Sequence, residues 1–421
     1  MNIDAATAAH IVEQLRYGLP PHGYSRVFTV GRQEQIQALA QQLDCSAGTG
    51  LLLQADYGAG KSHLLQVIRE LALEAGFAVS LVVVNAQEGV RFDRLETVFG
   101  AVCRRLEVDT SGNTGIATLF ERVGGPHPRP LSGSEGGDEG EDSTVRFRVA
   151  PSPHRRGGLG VRFPPALSSN GRWDYSEYLE APAMYVALRA WLFGDAATRL
   201  LVADWLTNPA AYRERRRYLY DTLVYGLRDR FADPRPAWKF HSKELLVLQR
   251  LEHSQVWPAL GDLARIARVG GRRGLVLLFD EMEDIVHNLP RTAQRQDAIH
   301  NLLPFFHRPA SAIHAFFAVT PDFIEQCRPY LPLIAPTEGA PVRLPALLVE
   351  AVRREELLEL ARKIRHVHAL AYQWDALHAM PDDELAVRVA QLGQTAAPQR
   401  VRYCIQGVVQ VLDEQLASTT S

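Results

Sequence analysis

The sequence predicts an α/β fold, in which helices flank a parallel sheet and an all-helical segment follows near the C-terminal end. Two runs, residues 78–84, rich in β-branched residues, and residues 275–279, apolar throughout, are typical of strands buried on both faces of a parallel sheet. Residues 50–84 have the order strand, glycine-rich loop, helix and strand, which is that of a βαβ unit. The tail, residues 346–416, shows helical spacing alone.

The other elements are expected from apolar periodicity in chain order. A helix at residues 5–17 is followed by a proline and glycine break, and a second amphipathic helix lies around residues 36–43. The stretch 175–266 again has helical spacing. Further strands are expected at 315–319 and, as a short fifth strand, at 342–344.

Composition and charge exclude several classes of protein. The 421 residues are enough for two or three domains, and 46 Lys and Arg against 48 Asp and Glu give a formal net charge of −2, so the chain is no polycation. The four cysteines form no C-x-x-C pair and lie near no histidine at zinc spacing, which argues against a disulfide scaffold or a zinc site. The first residues lack the apolar core of a signal peptide, and no apolar run approaches the ~20 residues of a membrane span. We therefore expect a cytoplasmic protein.

Residues 124–172 differ in composition from the rest of the chain. They are rich in Gly, Pro and Ser, acidic at first and Arg-rich later, with few residues able to build a core. We predict a low-complexity, disordered insert in a surface loop; a regulatory or nucleic-acid-binding arm is the alternative. The predicted organisation is N-terminal helices and the first part of the core at 1–123, the insert, a helical section and the second part of the core at 173–345, and a helical lid at 346–421.

The strongest motif is Ala-Asp-Tyr-Gly-Ala-Gly-Lys-Ser at residues 55–62, which departs from the phosphate-loop pattern G-x-x-x-x-G-K-[ST] only at Ala55. Gly58 and Gly60 allow φ > 0, so that backbone N–H groups turn toward phosphate, and the following helix adds the positive end of its dipole. Lys61 then reaches the β- and γ-phosphates and Ser62 holds Mg²⁺, which predicts ATP and Mg²⁺ as ligands. The alternative is a glycine-rich turn that caps a helix. The binding residues expected here are Asp56, Tyr57, Gly58, Ala59, Gly60, Lys61, Ser62 and His63.

Two carboxylates follow the apolar strand at 275–279. Because ligands of open parallel sheets bind at the carboxyl ends of strands, Asp280 is expected near Mg²⁺ and Glu281 near the γ-phosphate, where it would polarise the attacking water. The alternative is a strand-to-helix turn with Asp280 as the N-cap. The next acidic pair, Glu283 and Asp284, is expected on a solvated helix surface.

Thr320 ends the apolar strand at 315–319 and is followed by Pro321. A hydroxyl at this strand end would face the same water as Glu281, which favours a role in sensing the γ-phosphate. The alternative, compatible with that role, is that Thr320 caps the next helix.

The order of these motifs resembles that of the AAA+ P-loop ATPases, in particular their Orc/Cdc6-like and STAND branch. The resemblance sharpens to the BREX phage-resistance ATP-binding family of the BrxC/BrxD type, and it covers about 1–123 and 173–416. The segments that carry it are Leu-Arg-Tyr-Gly-Leu-Pro-Pro at 15–21, Val-Gly-Arg at 30–32, Tyr-Gly-Ala-Gly-Lys-Ser-His at 57–63, Leu-Phe-Asp-Glu-Met-Glu at 278–283 and Val-Thr-Pro-Asp-Phe at 319–323.

The resemblance implies further site residues. Val30, Gly31 and Arg32 match the motif that borders the adenine pocket, and Asn85 would face the same crevice. For the lid arginine that touches the γ-phosphate, Arg400 is preferred over Arg402. For the arginine finger that reaches a neighbouring subunit, Arg328 is preferred and Arg308 is the second choice, with a surface ion pair as the alternative.

The leading functional hypothesis is a slow or partner-stimulated ATPase that acts as a molecular switch or motor in a phage-defence complex, as a homo-oligomer or with other defence proteins. A second hypothesis is an ATP-dependent scaffold that does not hydrolyse ATP. A third, a DNA-binding recruiter, depends on Arg-rich clusters at 213–217, 265–273 and 353–354, for which a solvated helix face is the alternative. No membrane contact is expected.

Overall fold

A computed structural model describes residues 3–45, 47–87, 89–124, 179–226, 246–250, 253–307, 313–330, 344–394 and 400–420. The predicted insert at 124–172 lies outside these residues except for Gly124, and residues 342 and 343 of the predicted fifth strand also lie outside them.

Six strands form one sheet in the order β3–β2–β6–β7–β1–β8, and β4 and β5 pair separately. Every neighbouring pair of the six is parallel except β2 and β3. This confirms the predicted α/β class with a largely parallel sheet. The strands in the described residues are β1 (Thr49–Gln54), β2 (Ala78–Val83), β3 (Leu106–Glu107), β4 (Gln249–Arg250), β5 (His253–Ser254), β6 (Leu275–Asp280), β7 (Ile313–Val319) and β8 (Ala346–Leu348).

Helices account for most of the remaining described residues. Short 3-10 helices cover Pro209–Tyr212 and Arg328–Tyr330, and a π-helical turn covers Asp221–Tyr225. None of the described helices is long and apolar enough to cross a membrane. The α-helices are α1 (Ala5–Arg16), α2 (Gln33–Asp44), α3 (Lys61–Glu74), α4 (Leu95–Arg104), α5 (Ile116–Gly124), α6 (Pro182–Phe193), α7 (Ala196–Thr207), α8 (Arg216–Tyr220), α9 (Val256–Val269), α10 (Asp284–His287), α11 (Thr292–Leu302), α12 (Pro304–His307), α13 (Phe323–Cys327), α14 (Arg354–Tyr372), α15 (Ala376–Ala379), α16 (Asp382–Leu392) and α17 (Arg400–Thr420).

The last strand of the sheet differs from the prediction. β8 is paired in parallel with β1, with Leu347 opposite Leu53, so residues 346–348 belong to the sheet and not to the helical tail. The first helix of that tail begins at Arg354. β8 lies at the sheet edge, where two of its three residues are exposed. The apolar run Ala-Leu-Leu-Val at 346–349 is too short for periodicity to distinguish a strand from a helix, so the fifth strand was predicted four residues too early, at 342–344.

Alternate residues of the central strands enter two different cores, which is why these strands are predominantly apolar on both faces. In β6, Leu277 and Phe279 face the core formed with α4, α5, α6, α7 and α9, whereas Val276 and Leu278 face the core formed with α2 and α3. All six residues of β6 are buried. The period of two in a strand places helices on both faces of the sheet.

The first helix packs into the C-terminal lid. Ile11, Val12 and Leu15 lie on the buried face of α1, in one hydrophobic cluster with residues of α14 and α17 such as Ile364 and Leu412. A period of 3.6 residues puts the three α1 side chains on one stripe, which is covered by the lid helices. The N-terminal helix α1 and the C-terminal helices α14 and α17 therefore form one hydrophobic cluster.

Three strand ends meet at the same edge of the sheet. β7 lies between β1 and β6, and all three are parallel, with Gln54 opposite Val319 and Phe279 opposite Phe317. Asp280, the last residue of β6, and Ala55 and Thr320, which follow β1 and β7, are consequently neighbours at the carboxyl edge.

Candidate functional site

The glycine-rich loop has the backbone that its sequence predicts. Gly58 and Gly60 adopt φ of 77° and 90°, in the region open to glycine, and Gly60 is the N-cap of α3. Ala55 is not among the described residues with positive φ, so its methyl group does not strain the start of the loop. Its amide donates to the carbonyl oxygen of Val319 at 3.1 Å, which ties the loop to β7.

Lys61 is held inside the loop by three contacts. Its Nζ donates to the carbonyl oxygen of Ala55 at 3.0 Å, lies 4.8 Å from the ring centroid of Tyr57, and lies 3.5 Å from Oε1 of Glu283. The ammonium group therefore already faces the space enclosed by the loop. Ser62, the next residue, is exposed at the first turn of α3.

The acidic strand end does not form a helix cap. Asp280 is buried, and its Oδ1 accepts the N–H of Glu281 at 3.0 Å. The next helix, α10, begins only at Asp284, so Asp280 is not its N-cap. Glu281 is exposed and has a φ of 57°, a left-handed conformation that non-glycine residues rarely adopt. Such strain is found preferentially at functional sites, where the surrounding structure enforces it.

The expectation of a solvated surface for Glu283 and Asp284 is wrong. Glu283 is only 7% exposed and faces Lys61. Asp284 accepts the N–H of Ala86 at 2.8 Å through Oδ2, and its other oxygen accepts a hydrogen bond from the side chain of Asn288. In the turn after β6 the N–H of Asp284 donates to the carbonyl oxygen of Glu281 at 3.1 Å, and this turn returns Glu283 toward the loop without any periodic signal in the sequence.

Thr320 is buried beside the loop, and its hydroxyl hydrogen-bonds the carboxylate of Asp322, which lowers the pKa of that carboxyl. The N-cap of α13 is Asp322, so Thr320 does not occupy the capping position. Asn85, expected to face the crevice, is not among the residues that line the cavity beside the loop, and its Oδ1 accepts the N–H of Gln87 at 2.9 Å.

A cavity of about 360 Å³ lies between the loop, the acidic strand end, the N-terminal segment and the lid. Its lining includes the glycine-rich loop, residues 57–63, with the acids Asp280, Glu281 and Glu283. Apolar residues from the N-terminal segment and the lid also line it: Leu15, Leu19, Pro20, Pro21, Phe28, Val30, Val352, Leu360, Val401 and Ile405. A lining that combines charged and apolar groups suits a ligand with phosphates and a base.

The N-terminal motif, residues 30–32, holds the glycine-rich loop in place. Arg32 is buried, and its guanidinium donates to the carbonyl oxygens of Ala59 and, at 3.3 Å, of Glu350. Burial lowers the pKa of this arginine. Gly31 has φ of 66°, and a Cβ there would lie 2.0 Å from Oε1 of Glu356 in α14. Arg32 therefore fastens the loop, while Gly31 allows the lid to approach; Val30, of the same motif, lines the cavity.

His63 joins the helix after the loop to the same N-terminal segment. Its Nε2 lies 2.9 Å from Oγ1 of Thr29, which itself donates to the carbonyl oxygen of Ser25 at 2.9 Å. Because its own proton goes to Ser25, Thr29 Oγ1 accepts a hydrogen bond from the N–H of His63 Nε2. Burial, with a smaller effect from the positive charge of Arg32, lowers the pKa of His63 to about 4. The imidazole is neutral at pH 7.

In the lid, Arg402 lines the cavity and the preferred Arg400 does not, while a contact of either with the γ-phosphate stays a prediction. Arg402 is among the lining residues, donates to the carbonyl oxygen of Tyr17 at 3.3 Å, and lies where a Cβ on Gly18 would be 2.6 Å from its Cγ. Arg400 does not line the cavity, and its buried Nε makes no hydrogen bond to the described residues. Residues two apart on a helix point in different directions, so the motif alone could not separate the two.

Arg328 lies on the surface after α13, where its guanidinium pairs with Oε1 of Glu325 at 2.6 Å. Its side chain is 70% exposed and it does not line the cavity. The surface ion pair weighed against the finger role is thus present, although exposed pairs of this kind contribute little stability. Arg308 lies outside the described residues.

These features describe a protein with a phosphate-loop-like segment and an adjoining acidic strand end around one cavity. A family model described as BREX system ATP-binding protein BrxC/D matches residues 3–123 and 239–418. The chain belongs to this family of ATP-binding proteins. Searches of curated proteins and of solved structures found no match. Residues 124–238 fall outside the matched ranges, and they include the predicted insert and helices α6 to α8.

Proposed function

We propose that the cavity binds ATP with Mg²⁺ and that the protein hydrolyses ATP slowly, as an AAA+-like switch or motor in a phage-defence complex. The observation that supports this most is the convergence of Lys61, Asp280 and Glu281 on one cavity beside a glycine-rich loop. Membership of an ATP-binding family supports the choice of nucleotide.

The residues present suit a triphosphate and a hard cation. Gly58 and Gly60 leave space where side chains would block a close approach of phosphate to the backbone. Lys61 and the N-terminal end of α3 supply positive charge. The hydroxyl of Ser62 and the carboxylate of Asp280 are the oxygen donors that Mg²⁺ prefers, and both residues line the cavity.

Each side chain has a defined task in this proposal. Lys61 binds the β- and γ-phosphate oxygens, and Ser62 and Asp280 hold the cation, which neutralises phosphate charge when bound. Glu281 accepts a hydrogen bond from the attacking water and orients it. The strained backbone at that residue fixes the direction in which its side chain leaves the main chain. Thr320, at the neighbouring strand end, is the proposed γ-phosphate sensor, although it is buried and is not one of the residues that line the cavity.

The lid couples nucleotide binding to movement. Arg402 of α17 and Leu360 of α14 both line the cavity, and α1 packs on the same two helices. A nucleotide that contacts the loop and the lid at once would bind their closed arrangement more tightly than an open one. This difference in affinity would shift the equilibrium toward the closed arrangement. Movement of the lid would then be carried to α1.

Two alternatives remain as competing hypotheses. A scaffold that binds ATP without hydrolysing it would need the same cavity but not Glu281. A DNA-binding recruiter would need free arginines, and many in the predicted clusters are paired with acids. These pairs are Arg213 with Glu96, Arg265 with Asp262 and Glu180, Arg273 with Asp44, and Arg353 with Glu350 and Glu356. An acid beside each of these arginines reduces the net positive charge that the surface offers to DNA phosphates, which favours the ATPase over the recruiter.

The test compares two variants in two assays. Lys61→Ala should abolish binding of MgATP, because it removes the cation that the loop places on the phosphates. Glu281→Gln should bind MgATP as the wild type does and lose turnover, because the amide cannot polarise water as a carboxylate does. Unchanged affinity in Lys61→Ala would refute the assigned site. Wild-type turnover in Glu281→Gln would support another base, and no turnover in any form, with or without DNA, would support the scaffold.

A further inference from the structure

Glu283 is a buried acid that the proposed reaction does not use. Its side chain is 9% exposed, and its Oε1 lies 3.5 Å from Nζ of Lys61, whose own side chain is 11% exposed. That oxygen makes no hydrogen bond to any described residue, and Glu283 lines the cavity. Lys61 is thus the charge that balances a buried carboxylate.

The neighbouring acids are engaged differently. Asp280 accepts the N–H of Glu281, and Asp284 accepts the N–H of Ala86. Glu283 is therefore the acid whose charge is balanced by the phosphate-loop lysine itself.

A phosphate group in the loop would compete with Glu283 for this lysine. The ammonium group has three donors, one of which goes to the carbonyl oxygen of Ala55. When Lys61 turns to phosphate oxygens, Glu283 loses its counter-charge while it faces an anion, and a buried charge without a partner is costly. Nucleotide binding must therefore work against the Lys61–Glu283 pair.

We propose that Glu283 is a positioning residue that competes with nucleotide phosphates for Lys61 and keeps the site at low affinity when no divalent cation accompanies the nucleotide. The inference builds on the proposed ATP site. A cation that enters with the nucleotide offsets the repulsion between Glu283 and the phosphates, so the protein favours the metal complex over free ATP. Glu283 thereby contributes to the choice of ligand without taking part in the chemical step.

The first experiment tests the Lys61–Glu283 ion pair with no nucleotide present, by measuring how fast Lys61 is acetylated. The chain has lysines only at 61, 239, 243 and 363, so acetylation by acetic anhydride can be followed for each by peptide mass spectrometry. Glu283→Gln should speed labelling of Lys61 by about tenfold, because the amide no longer holds the lysine side chain in an ion pair that shields it from the reagent. Lys363, which pairs with Glu359 at 2.9 Å, is the internal control.

The second experiment measures ATP affinity by calorimetry of the full chain, in EDTA and in Mg²⁺. Glu283→Gln should tighten binding of metal-free ATP by about tenfold or more, and by less in Mg²⁺. Glu283→Asp, which withdraws the carboxylate by one methylene, should give a smaller gain and serves if Glu283→Gln does not fold. Glu74→Gln is the matched control: it removes the same charge from an exposed acid at the far end of α3.

The outcomes separate this inference from the proposed function. Unchanged Lys61 labelling together with unchanged affinity in EDTA overturns the role of Glu283 while leaving the ATP site intact. Weaker MgATP binding with no change in EDTA also overturns it, since Glu283 would then act through the metal. If the wild type binds no ATP, the proposed function fails, and with it the inference that Glu283 controls nucleotide affinity, while labelling still reports the ion pair.

Discussion

The Nε2 atom of His63 lies 2.9 Å from Oγ1 of Thr29, and this contact joins the phosphate-loop helix to the N-terminal segment that borders the cavity. The loop, Thr29 and residues of the lid line one cavity. The hydrogen bond therefore links the position of the loop to the stability of the N-terminal segment beside it. Its acceptor is a hydroxyl that already donates elsewhere, so the bond requires a protonated Nε2 but no charge on the ring.

We expect acid to weaken the fold through His63. Its pKa is about 4 in the folded protein and 6.5 in the unfolded chain, so the unfolded state binds more protons between these values and stability is lost as pH falls from 6.5 to 4. His63→Gln should reduce the loss of unfolding free energy between pH 7 and pH 5 by about 1–2 kcal/mol, measured by denaturant titration. His366→Gln, on the exposed side of α14, should not; equal slopes in all three proteins would contradict this prediction.

Because of the left-handed backbone at Glu281, we expect glycine at this position to be more stable than alanine, the reverse of the usual order. At φ of 57°, Glu281→Gly should be more stable than Glu281→Ala by about 1 kcal/mol, because glycine adopts the left-handed region without a Cβ penalty. Both variants remove the carboxylate and should lose turnover equally. Thermal unfolding of the two variants side by side checks this. If alanine is the more stable, residue 281 does not hold its left-handed backbone in solution.

Arg402, and not Arg400, should matter for ATP affinity. Arg402→Ala removes the lid cation that lines the cavity and should weaken ATP binding by roughly tenfold, as expected for one charge-assisted hydrogen bond. Arg400→Ala, on the same helix and with the same loss of charge, is the matched control and should change affinity by less than about threefold. Equal effects of both substitutions would indicate a general loss of lid structure, and circular dichroism would show it.

Arg328 should act only between subunits. Arg328→Ala should lower turnover at least about tenfold without weakening ATP binding, since arginine fingers of GTPases contribute 10³–10⁵ in rate. Mixing it with folded Lys61→Ala should restore some turnover, because each variant supplies the half that the other lacks. Arg217→Ala, which removes an exposed arginine in α8, is the control. A mixture that co-assembles and stays inactive would exclude Arg328 and direct the test to Arg308.

The sequence by itself determined the local parts of this protein. The buried strands, the glycine-rich loop with Lys61 at the start of a helix, and the acidic end of β6 were all predicted, because each depends on spacing within a few residues. The family was also evident from short motifs, and the family match bears this out. Parallel strands bring their carboxyl ends to one edge, so even the neighbourhood of Asp280 and Thr320 could be expected.

Only the tertiary structure decided how distant segments meet. Glu283 was expected in solvent, yet the turn after β6 buries it against Lys61, and a burial of this kind leaves no periodic signal. Arg402 and Arg400 carry the same charge two residues apart, and only the packing of α17 on α1 chooses between them. The fifth strand was predicted at 342–344 and lies at 346–348, because a run of four apolar residues fits a strand or a helix equally well and only pairing with β1 distinguishes them. Side-chain burial depends on what packs from elsewhere in the chain, which spacing along the sequence does not encode.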